Sequence, residues 1–152
     1  MRIEIRRARL NEADEISQLG IRSKAHWGYT FEQMQVFKRE LTILPETIEQ
    51  RTTQVLQVNN NLIGYYTLVP QDADTVELEH LFVDPSYLRQ GFGSQLFKHA
   101  RVTASSLGFR RIVIQSDPNA EGFYVAHGAR VIELIPSSIP GRILPLLELV
   151  LK

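Results

Sequence analysis

The chain contains no cysteine, and it has only two methionines and one tryptophan among its 152 residues. Without thiols it has neither a disulfide, nor a thiolate nucleophile, nor a cysteine-based metal site. Its 17 basic and 17 acidic residues balance to a formal net charge of zero, and like charges form no long run. We therefore predict no metal site and no nucleic-acid partner.

Long apolar segments are also absent. No apolar run approaches the roughly 20 residues of a membrane-spanning helix, and residues 1–7 lack the apolar centre of a signal peptide. Neither an internal repeat nor a low-complexity linker interrupts the chain. A chain of this length buries a core of its own. The sequence therefore predicts one domain over residues 1–152, a cytoplasmic location and no membrane partner.

Apolar periodicity divides the chain into strands and helices. Residues 3–6 alternate as a half-buried strand does. Asn11 is the predicted N-cap of a first helix and Thr30 of a second, while Pro45 opens a short third one. A β-hairpin with its turn at residues 59–61 follows. The later predicted elements are a strand ending at Val83, a helix from about Gln90 to Leu107, a strand over residues 111–115, a helix over 119–127 and strands over 129–135 and 144–151.

The segment from residue 77 to 94 carries the most informative motif. Its apolar, β-branched strand ends at Asp84-Pro85, because proline disfavours helical geometry in the residue before it. Gly91 and Gly93 lie where helical spacing begins. Glycine lets the backbone approach a ligand, and the first N–H groups of a helix are unpaired and partly positive. The segment therefore predicts a phosphate site that matches neither a Walker loop nor a Rossmann fingerprint.

These residues resemble motif A of the GNAT acetyltransferase superfamily, a strand ending in Val-x-Pro followed by Arg/Gln-x-x-Gly-x-Gly/Ala and a helix. Val83, Pro85, Gly91 and Gly93 match, whereas Leu88 stands where the family usually has Arg or Gln. The predicted order of elements is also that of the GNAT fold, so the resemblance covers nearly the whole chain. It implies an α/β (α+β) fold with a mixed central sheet of about six to seven strands flanked by helices.

The resemblance implies that this loop holds the pyrophosphate of acetyl coenzyme A (acetyl-CoA), mainly through backbone N–H groups. Arg89 would then supply the positive charge that Leu88 does not. The implied cofactor-binding residues are Leu81, Phe82, Val83, Arg89, Gln90, Gly91, Phe92, Gly93, Ser94, Asn119 and Tyr124.

A second matching segment lies at residues 116–128. In GNAT proteins an Asn after the fifth strand bonds the pantetheine arm, and the next helix carries Tyr-x-x-x-Gly. Tyr124 and Gly128 have that spacing, although Asn119 lies closer to Tyr124 than the family commonly shows. The resemblance implies that Tyr124 protonates the departing thiolate. The alternative is that Phe123 and Tyr124 are two core aromatics.

An amine must be neutral before it attacks a thioester, so the reaction needs a base. Glu77, Glu79 and His80 lie on the central strand, and alternation puts the two carboxylates on one face and His80 on the other. We favour Glu79 as the base and Glu77 second. The alternative is that both are solvated or salt-bridged strand carboxylates. A backbone N–H near Phe82 would stabilise the oxyanion.

The acceptor site in this superfamily is lined by segments that correspond here to His26, Trp27, Tyr29 and residues 137–142. Trp27 would form a wall for an apolar or cationic acceptor, or it closes the core between helices. Arg142 would bind a substrate carboxylate through its planar fork, or it pairs with Glu148 or Glu133. These segments resemble a bacterial branch of the family, and that resemblance implies no particular acceptor.

The resemblance thus implies an acetyl-CoA-dependent N-acetyltransferase that acts on the primary amine of a small molecule, by direct attack in a ternary complex. The lack of cysteine agrees with direct attack. Two alternatives stay open, an enzyme that acetylates a protein N-terminus or lysine, and a non-catalytic coenzyme A-binding domain whose Leu88 marks a decayed site. By analogy, a homodimer formed through the apolar last strand is also open.

Overall fold

The computed structural model describes all 152 residues. Its strands are β1 (Ile3–Arg7), β2 (Thr52–Val58), β3 (Asn61–Pro70), β4 (Thr75–Val83), β5 (Arg111–Gln115), β6 (Arg130–Pro136) and β7 (Ile143–Val150). Its α-helices are α1 (Ala13–Ala25), α2 (Phe31–Leu41), α3 (Pro45–Gln50), α4 (Phe92–Ser106) and α5 (Glu121–Ala126), and single 3-10 turns lie at Leu10–Glu12, Pro85–Tyr87 and Pro118–Ala120. None of the helices combines the length and apolarity that a bilayer span requires.

The strands form a seven-stranded sheet in the order β1-β2-β3-β4-β5-β7-β6. β1 pairs antiparallel with β2, and β7 pairs antiparallel with both β5 and β6. β4 and β5 run parallel, with Thr75 opposite Arg111, and parallel strands need a crossover such as α4 between them. This mixed sheet, flanked by helices, confirms the predicted fold class. Because both edges of β7 are paired, the last strand has no edge open to a second copy.

Contacts between Cα atoms divide the chain into two compact units. The first consists of Met1–Thr67 and His80–His99, and the second of Leu68–Glu79 and Ala100–Lys152. One core cluster of the first unit contains Ala8, Ala13, Ile16, Leu19, Ile43, Ile48, Val55 and Tyr65. Buried apolar residues of the second include Val76, Leu78, Ala104, Ile112, Ile114, Leu147 and Leu149. The single-domain organisation stays a prediction.

The prediction that Asn11 caps α1 is wrong. Asn11 lies within the first 3-10 turn, and α1 begins after Glu12. The Glu12 carboxylate accepts the N–H of Arg9 at 2.8 Å and pairs with the guanidinium of Arg6 at 2.8 Å. These two contacts fix Glu12 in the turn, and the helix starts at the next residue.

Other local predictions are confirmed. Thr30 caps α2, because its hydroxyl accepts the N–H of Gln33 at 3.2 Å. Pro45 is the first residue of α3. Asn59 and Asn60 have φ of 51° and 71°, which is the left-handed geometry that a two-residue hairpin turn requires. Asn61 is the first residue of β3, so the turn is one residue shorter than predicted.

Gly64 of β3 sits where the first unit leaves no room for a side chain. A Cβ at this position would lie 2.9 Å from Leu96 Cδ1 and 3.1 Å from the carbonyl oxygen of Phe82. Since a strand carbonyl cannot move without breaking its ladder, we expect Gly64→Ala to lower the free energy of unfolding by about 1–3 kcal/mol. Urea unfolding followed by circular dichroism measures the change.

Gly122→Ala is the matched control. Gly122 lies in α5, and a Cβ there would meet nothing within 4 Å. Alanine is the better helix former, so this variant should be neutral or gain up to about 1 kcal/mol. Equal unfolding midpoints for Gly64→Ala and the wild type would contradict the close contact.

Candidate functional site

The loop predicted to bind the cofactor joins β4 to α4. After the 3-10 turn Pro85–Tyr87, Arg89 and Gly91 both adopt left-handed backbone geometry, with φ of 61° and 83°. The carbonyl of Gly91 accepts the first hydrogen bond of α4, from the N–H of Gln95 at 3.1 Å. Gly91 therefore ends the loop in a conformation that favours glycine.

The start of α4 provides backbone donors. Because Gln95 donates the first bond of the helix, the N–H groups of Phe92 and Gly93 precede the helical hydrogen-bond series. They lie at the positive end of the helix dipole. The Phe92 ring is buried and packs edge-on against Tyr87, with ring centroids 6.2 Å apart. The chemistry of this donor set fits a phosphate group.

The strand end and the loop differ in exposure. Val83 is buried, Leu81, Phe82, Gly93 and Ser94 are half-buried, and Leu88, Arg89, Gln90 and Gly91 are exposed. Arg89 has a strained backbone, because the left-handed conformation costs a residue other than glycine roughly 1 kcal/mol or more. The loop retains this strain at an exposed cation beside the predicted phosphate site.

Alternating burial along β4 confirms the predicted faces. Leu78 and His80 are buried, whereas Glu77 and Glu79 are half-buried. The Glu77 carboxylate accepts a hydrogen bond from the amide of Gln71 at 3.0 Å. The role of Glu79 or Glu77 as the base stays a prediction.

His80 is a buried, neutral histidine of the first unit. Its Nδ1 lies 3.1 Å from the hydroxyl oxygen of Tyr65. Burial, together with the cations of Arg51 and Lys24, lowers the pKa of His80 to about 4. The imidazole is therefore uncharged at neutral pH and is a weak base there.

Tyr124 lies in α5 and is 6% exposed. Burial raises the pKa of its phenol well above the ordinary value, and the negative charge of Asp117 raises it further. Phe123 packs edge-on against its ring at a centroid distance of 5.2 Å. The phenol thus keeps its proton throughout the neutral pH range, as a proton donor must before it acts.

Asp117 is a residue that sequence reasoning missed. Its Oδ1 accepts hydrogen bonds from the backbone N–H of Asn119 at 2.8 Å and from the Asn119 side-chain amide at 2.9 Å. The signal in the sequence is Asp117-Pro118, since Asp before a proline-led turn often accepts the N–H two residues on. Asn119 therefore donates its side-chain amide to Asp117, and its contact with the pantetheine arm stays a prediction.

Arg142 pairs with Asp117 rather than with Glu148 or Glu133. Its Nη2 lies 3.5 Å from Asp117 Oδ2, and its side chain is 15% exposed. Its Nη1 also donates to Ser137 at 3.2 Å. Glu148 is instead paired with the guanidinium groups of Arg111 at 2.6 Å and Arg130 at 3.2 Å. The alternative that Arg142 pairs with Glu148 or Glu133 is therefore wrong, and its role in binding a substrate carboxylate stays a prediction.

The predicted acceptor residues His26, Trp27 and Tyr29 follow α1. Trp27 is 46% exposed and meets the His26 ring edge-on at 5.7 Å, so the alternative that it closes the core is wrong. Tyr29 packs edge-on against Phe37 with centroids 4.8 Å apart. The Lys24 ammonium lies 4.4 Å from the Phe37 ring centroid. The end of α1 therefore carries an exposed indole beside a cation–aromatic cluster.

An open depression of about 570 Å³ lies elsewhere in the second unit, lined by Asp72, Ala73, Asp74, Thr75, Arg110, Arg111 and Val150. No predicted site residue lines it. The Arg111 guanidinium there donates to Thr75 and Glu148, so this depression is held together by structural contacts. No group of three His, Asp or Glu side chains is arranged to hold a metal ion.

Comparison with known families and proteins agrees with this geometry. The model of the acetyltransferase (GNAT) family matches residues 20–129. No curated protein matches the chain.

Solved structures share the fold at low sequence identity. The PaiA N-acetyltransferase of Thermoplasma acidophilum in complex with coenzyme A aligns with a TM-score of 0.80 at 19% identity, over 99% of each chain. A GNAT family acetyltransferase of Elizabethkingia anophelis with acetyl-CoA bound gives 0.70 at 20% identity, over 98% of each chain. The ribosomal-protein-S18-alanine N-acetyltransferase of Escherichia coli gives 0.74 at 16% identity, over 99% of this chain and 94% of its own.

His80 generates a prediction for the pH dependence of stability. The pKa of His80 is about 4 in the folded protein, against an ordinary value of 6.5. Between these two pH values the unfolded chain therefore binds a proton more readily than the folded protein does. The stability is fully present above pH 6.5 and is lost as the pH falls towards 4. We expect a loss of up to about 3 kcal/mol, measured by urea unfolding across this range.

His80→Asn is the comparison variant, because asparagine does not titrate there. Burial also lowers the pKa of His99, and the contribution of His99 is common to both proteins. The variant should lose less stability than the wild type over the same pH interval. Equal pH slopes for the two proteins would contradict a neutral, buried His80.

Proposed function

The chain belongs to the GNAT acetyltransferase family, and on that premise we propose that it binds acetyl-CoA and transfers the acetyl group to the primary amine of a small molecule. The observation that carries the proposal is the junction of β4 and α4. There the left-handed Gly91 ends the loop, and the amides of Phe92 and Gly93 begin the helix. Backbone donors of this kind suit a pyrophosphate. The coenzyme A bound to the T. acidophilum relative supports the same cofactor here.

When bound, acetyl-CoA supplies a thioester that an amine attacks directly and a thiolate that leaves. Glu79 takes the proton from the acceptor ammonium, directly or through a water, and so makes the amine nucleophilic. Glu77, whose carboxylate accepts a hydrogen bond from Gln71, is the second candidate for this role. The backbone N–H near Phe82 would donate to the thioester carbonyl oxygen of bound acetyl-CoA, where negative charge develops. Because the amine attacks directly, no cysteine nucleophile is required.

Tyr124 is the proposed general acid. Burial and the charge of Asp117 keep its phenol protonated, so the proton is available when a thiolate departs. The proposed donor role rests on the Tyr-x-x-x-Gly spacing of Tyr124 and Gly128, because a raised pKa keeps the proton on the phenol without making it a stronger acid.

The acceptor is proposed to meet the segment after α1, where Trp27 is exposed. Arg142, the other residue proposed for the acceptor, already pairs with the Asp117 carboxylate in the second unit. A protein N-terminus is the second candidate acceptor. The E. coli relative, named for ribosomal protein S18 alanine, supports it, as does Phe31, whose ring is 74% exposed and offers apolar surface to a peptide.

Calorimetry with acetyl-CoA, followed by a thiol-release assay against amines, amino acids and peptides, tests the function. We expect binding, and turnover with at least one acceptor class. Arg89→Gln, which removes the cation but keeps a Cβ, should weaken acetyl-CoA binding about three- to tenfold. Arg89→Gly should weaken binding similarly and stabilise the free protein by up to about 1 kcal/mol, since glycine tolerates the left-handed φ.

Asn60→Gly is the matched control, because Asn60 has the same left-handed geometry in the β2–β3 turn, with φ of 71°. It should alter stability and leave acetyl-CoA affinity unchanged. A wild-type protein that binds no acetyl-CoA overturns the proposal. Binding without turnover on any acceptor favours the non-catalytic alternative.

Tyr124→Phe tests the general acid. The variant keeps the ring that packs against Phe123 and removes only the hydroxyl. We expect kcat to fall about 10²- to 10³-fold, while calorimetry gives the wild-type affinity for acetyl-CoA. Tyr66→Phe is the control. Tyr66 is buried as Tyr124 is, its hydroxyl lies 2.8 Å from His99 Nδ1, and its loss should leave kcat unchanged. Full turnover by Tyr124→Phe would remove Tyr124 from the mechanism.

A further inference from the structure

The cofactor loop begins at an ion pair between Asp84 and Arg22, and we propose that this pair is the positioning contact that holds the loop in its binding geometry. Asp84 lies between β4 and the 3-10 turn Pro85–Tyr87, and Arg22 lies in the last turn of α1. The two residues are 62 positions apart in the chain and belong to the same unit. The proposal rests on the proposed function for its ligand, acetyl-CoA.

Asp84 makes four hydrogen bonds, through its backbone and its carboxylate. Its N–H donates to the carbonyl of Ile63 at 2.7 Å, which ties it to β3. Its carbonyl accepts the N–H of Tyr87 at 2.8 Å, and its Oδ1 accepts the N–H of Ser86 at 2.9 Å. Its Oδ2 accepts from Nη2 of Arg22 at 2.8 Å. One residue therefore joins the strand, the turn and α1.

The negative charge of Asp84 requires a nearby cation if the loop is to bind an anion, and Arg22 provides that cation. Burial opposes ionisation of Asp84, but the N–H of Ser86 and the guanidinium of Arg22 outweigh it and lower the pKa of the carboxyl. Asp84 is thus ionised at neutral pH, at the start of a loop proposed to receive an anion. Arg22 balances that negative charge. Without Arg22, the carboxylate would oppose phosphate binding and lose the contact that fixes its orientation.

Four variants separate the effect of charge from that of geometry. Arg22→Gln leaves Asp84 unpaired and should weaken acetyl-CoA binding about three- to tenfold, with a higher KM for acetyl-CoA and an unchanged kcat. Asp84→Asn keeps an oxygen for the N–H of Ser86 and removes the charge, so its loss should be smaller. The double variant Arg22→Gln/Asp84→Asn should bind better than Arg22→Gln alone, because the unpaired carboxylate is gone. Arg22→Lys should restore part of the affinity.

Arg6→Gln is the control. Arg6 pairs with Glu12 at 2.8 Å in the same unit, with side-chain exposures of 16% and 13%, and neither residue belongs to the loop. This variant removes a guanidinium–carboxylate pair and should leave the affinity for acetyl-CoA unchanged. If the loss of any ion pair disturbed the fold enough to affect binding, Arg22→Gln and Arg6→Gln would lose affinity for acetyl-CoA alike. That result would overturn the positioning role.

Hydrogen exchange of the free protein provides a readout that does not depend on the cofactor. The amides of Ser86 and Tyr87 are protected by Asp84, so they should exchange faster in Arg22→Gln than in the wild type and in Arg6→Gln. If the wild type bound no acetyl-CoA, the proposed function would fail while exchange still decided the positioning role. Unchanged exchange at both amides, or equal affinity of Arg22→Gln and the wild type, would overturn the inference.

Discussion

The fold depends on the short segment that ends β4 and leads into α4. Pro85 has no N–H and cannot extend the strand's hydrogen-bond ladder, and the Asp84 side chain takes the N–H of Ser86 instead. The chain then turns through the left-handed Arg89 and Gly91 before α4 begins. Because α4 is the crossover that lets β5 pair parallel to β4, the turn that leads into the first amides of α4 is also the turn that the sheet topology requires. The fold and the proposed phosphate site therefore rest on the same short segment.

The same kind of 3-10 turn occurs in each unit. After β4 and again after β5, an Asp-Pro pair starts a 3-10 turn in which the Asp carboxylate accepts the N–H two residues on. In both turns an arginine from a distant segment balances the carboxylate, Arg22 at Asp84 and Arg142 at Asp117. Proline fixes its own φ and the carboxylate satisfies an amide that the turn would leave unpaired. The guanidinium then offsets the charge that this arrangement buries.

Features set by neighbouring residues could be predicted from the sequence. The asparagine turn, the Thr30 cap and the bounds of β5 each depend on residues a few positions apart, so their signals are local. The partner of Arg142 and the displacement of the α1 cap by the Arg6–Glu12 pair depend on which charges the fold brings together. Several carboxylates are equally plausible partners in the sequence, and only packing selects among them. Residue types in the sequence therefore indicate which segments form a site, but they do not indicate which side chains contact one another there.

Burial narrows the choice of a general base. Desolvation disfavours the charged form of any group. It lowers the pKa of His80 and raises the pKa of Tyr124, so both side chains stay neutral. For Tyr124 neutrality means a retained proton, which suits an acid. For His80 it means an imidazole whose pKa of about 4 resembles that of an ordinary carboxyl group, so His80 has no advantage over a carboxylate as a base at neutral pH. Desolvation raises the pKa of a carboxyl group instead, and the two proposed bases, Glu79 and Glu77, are half-buried on the same strand.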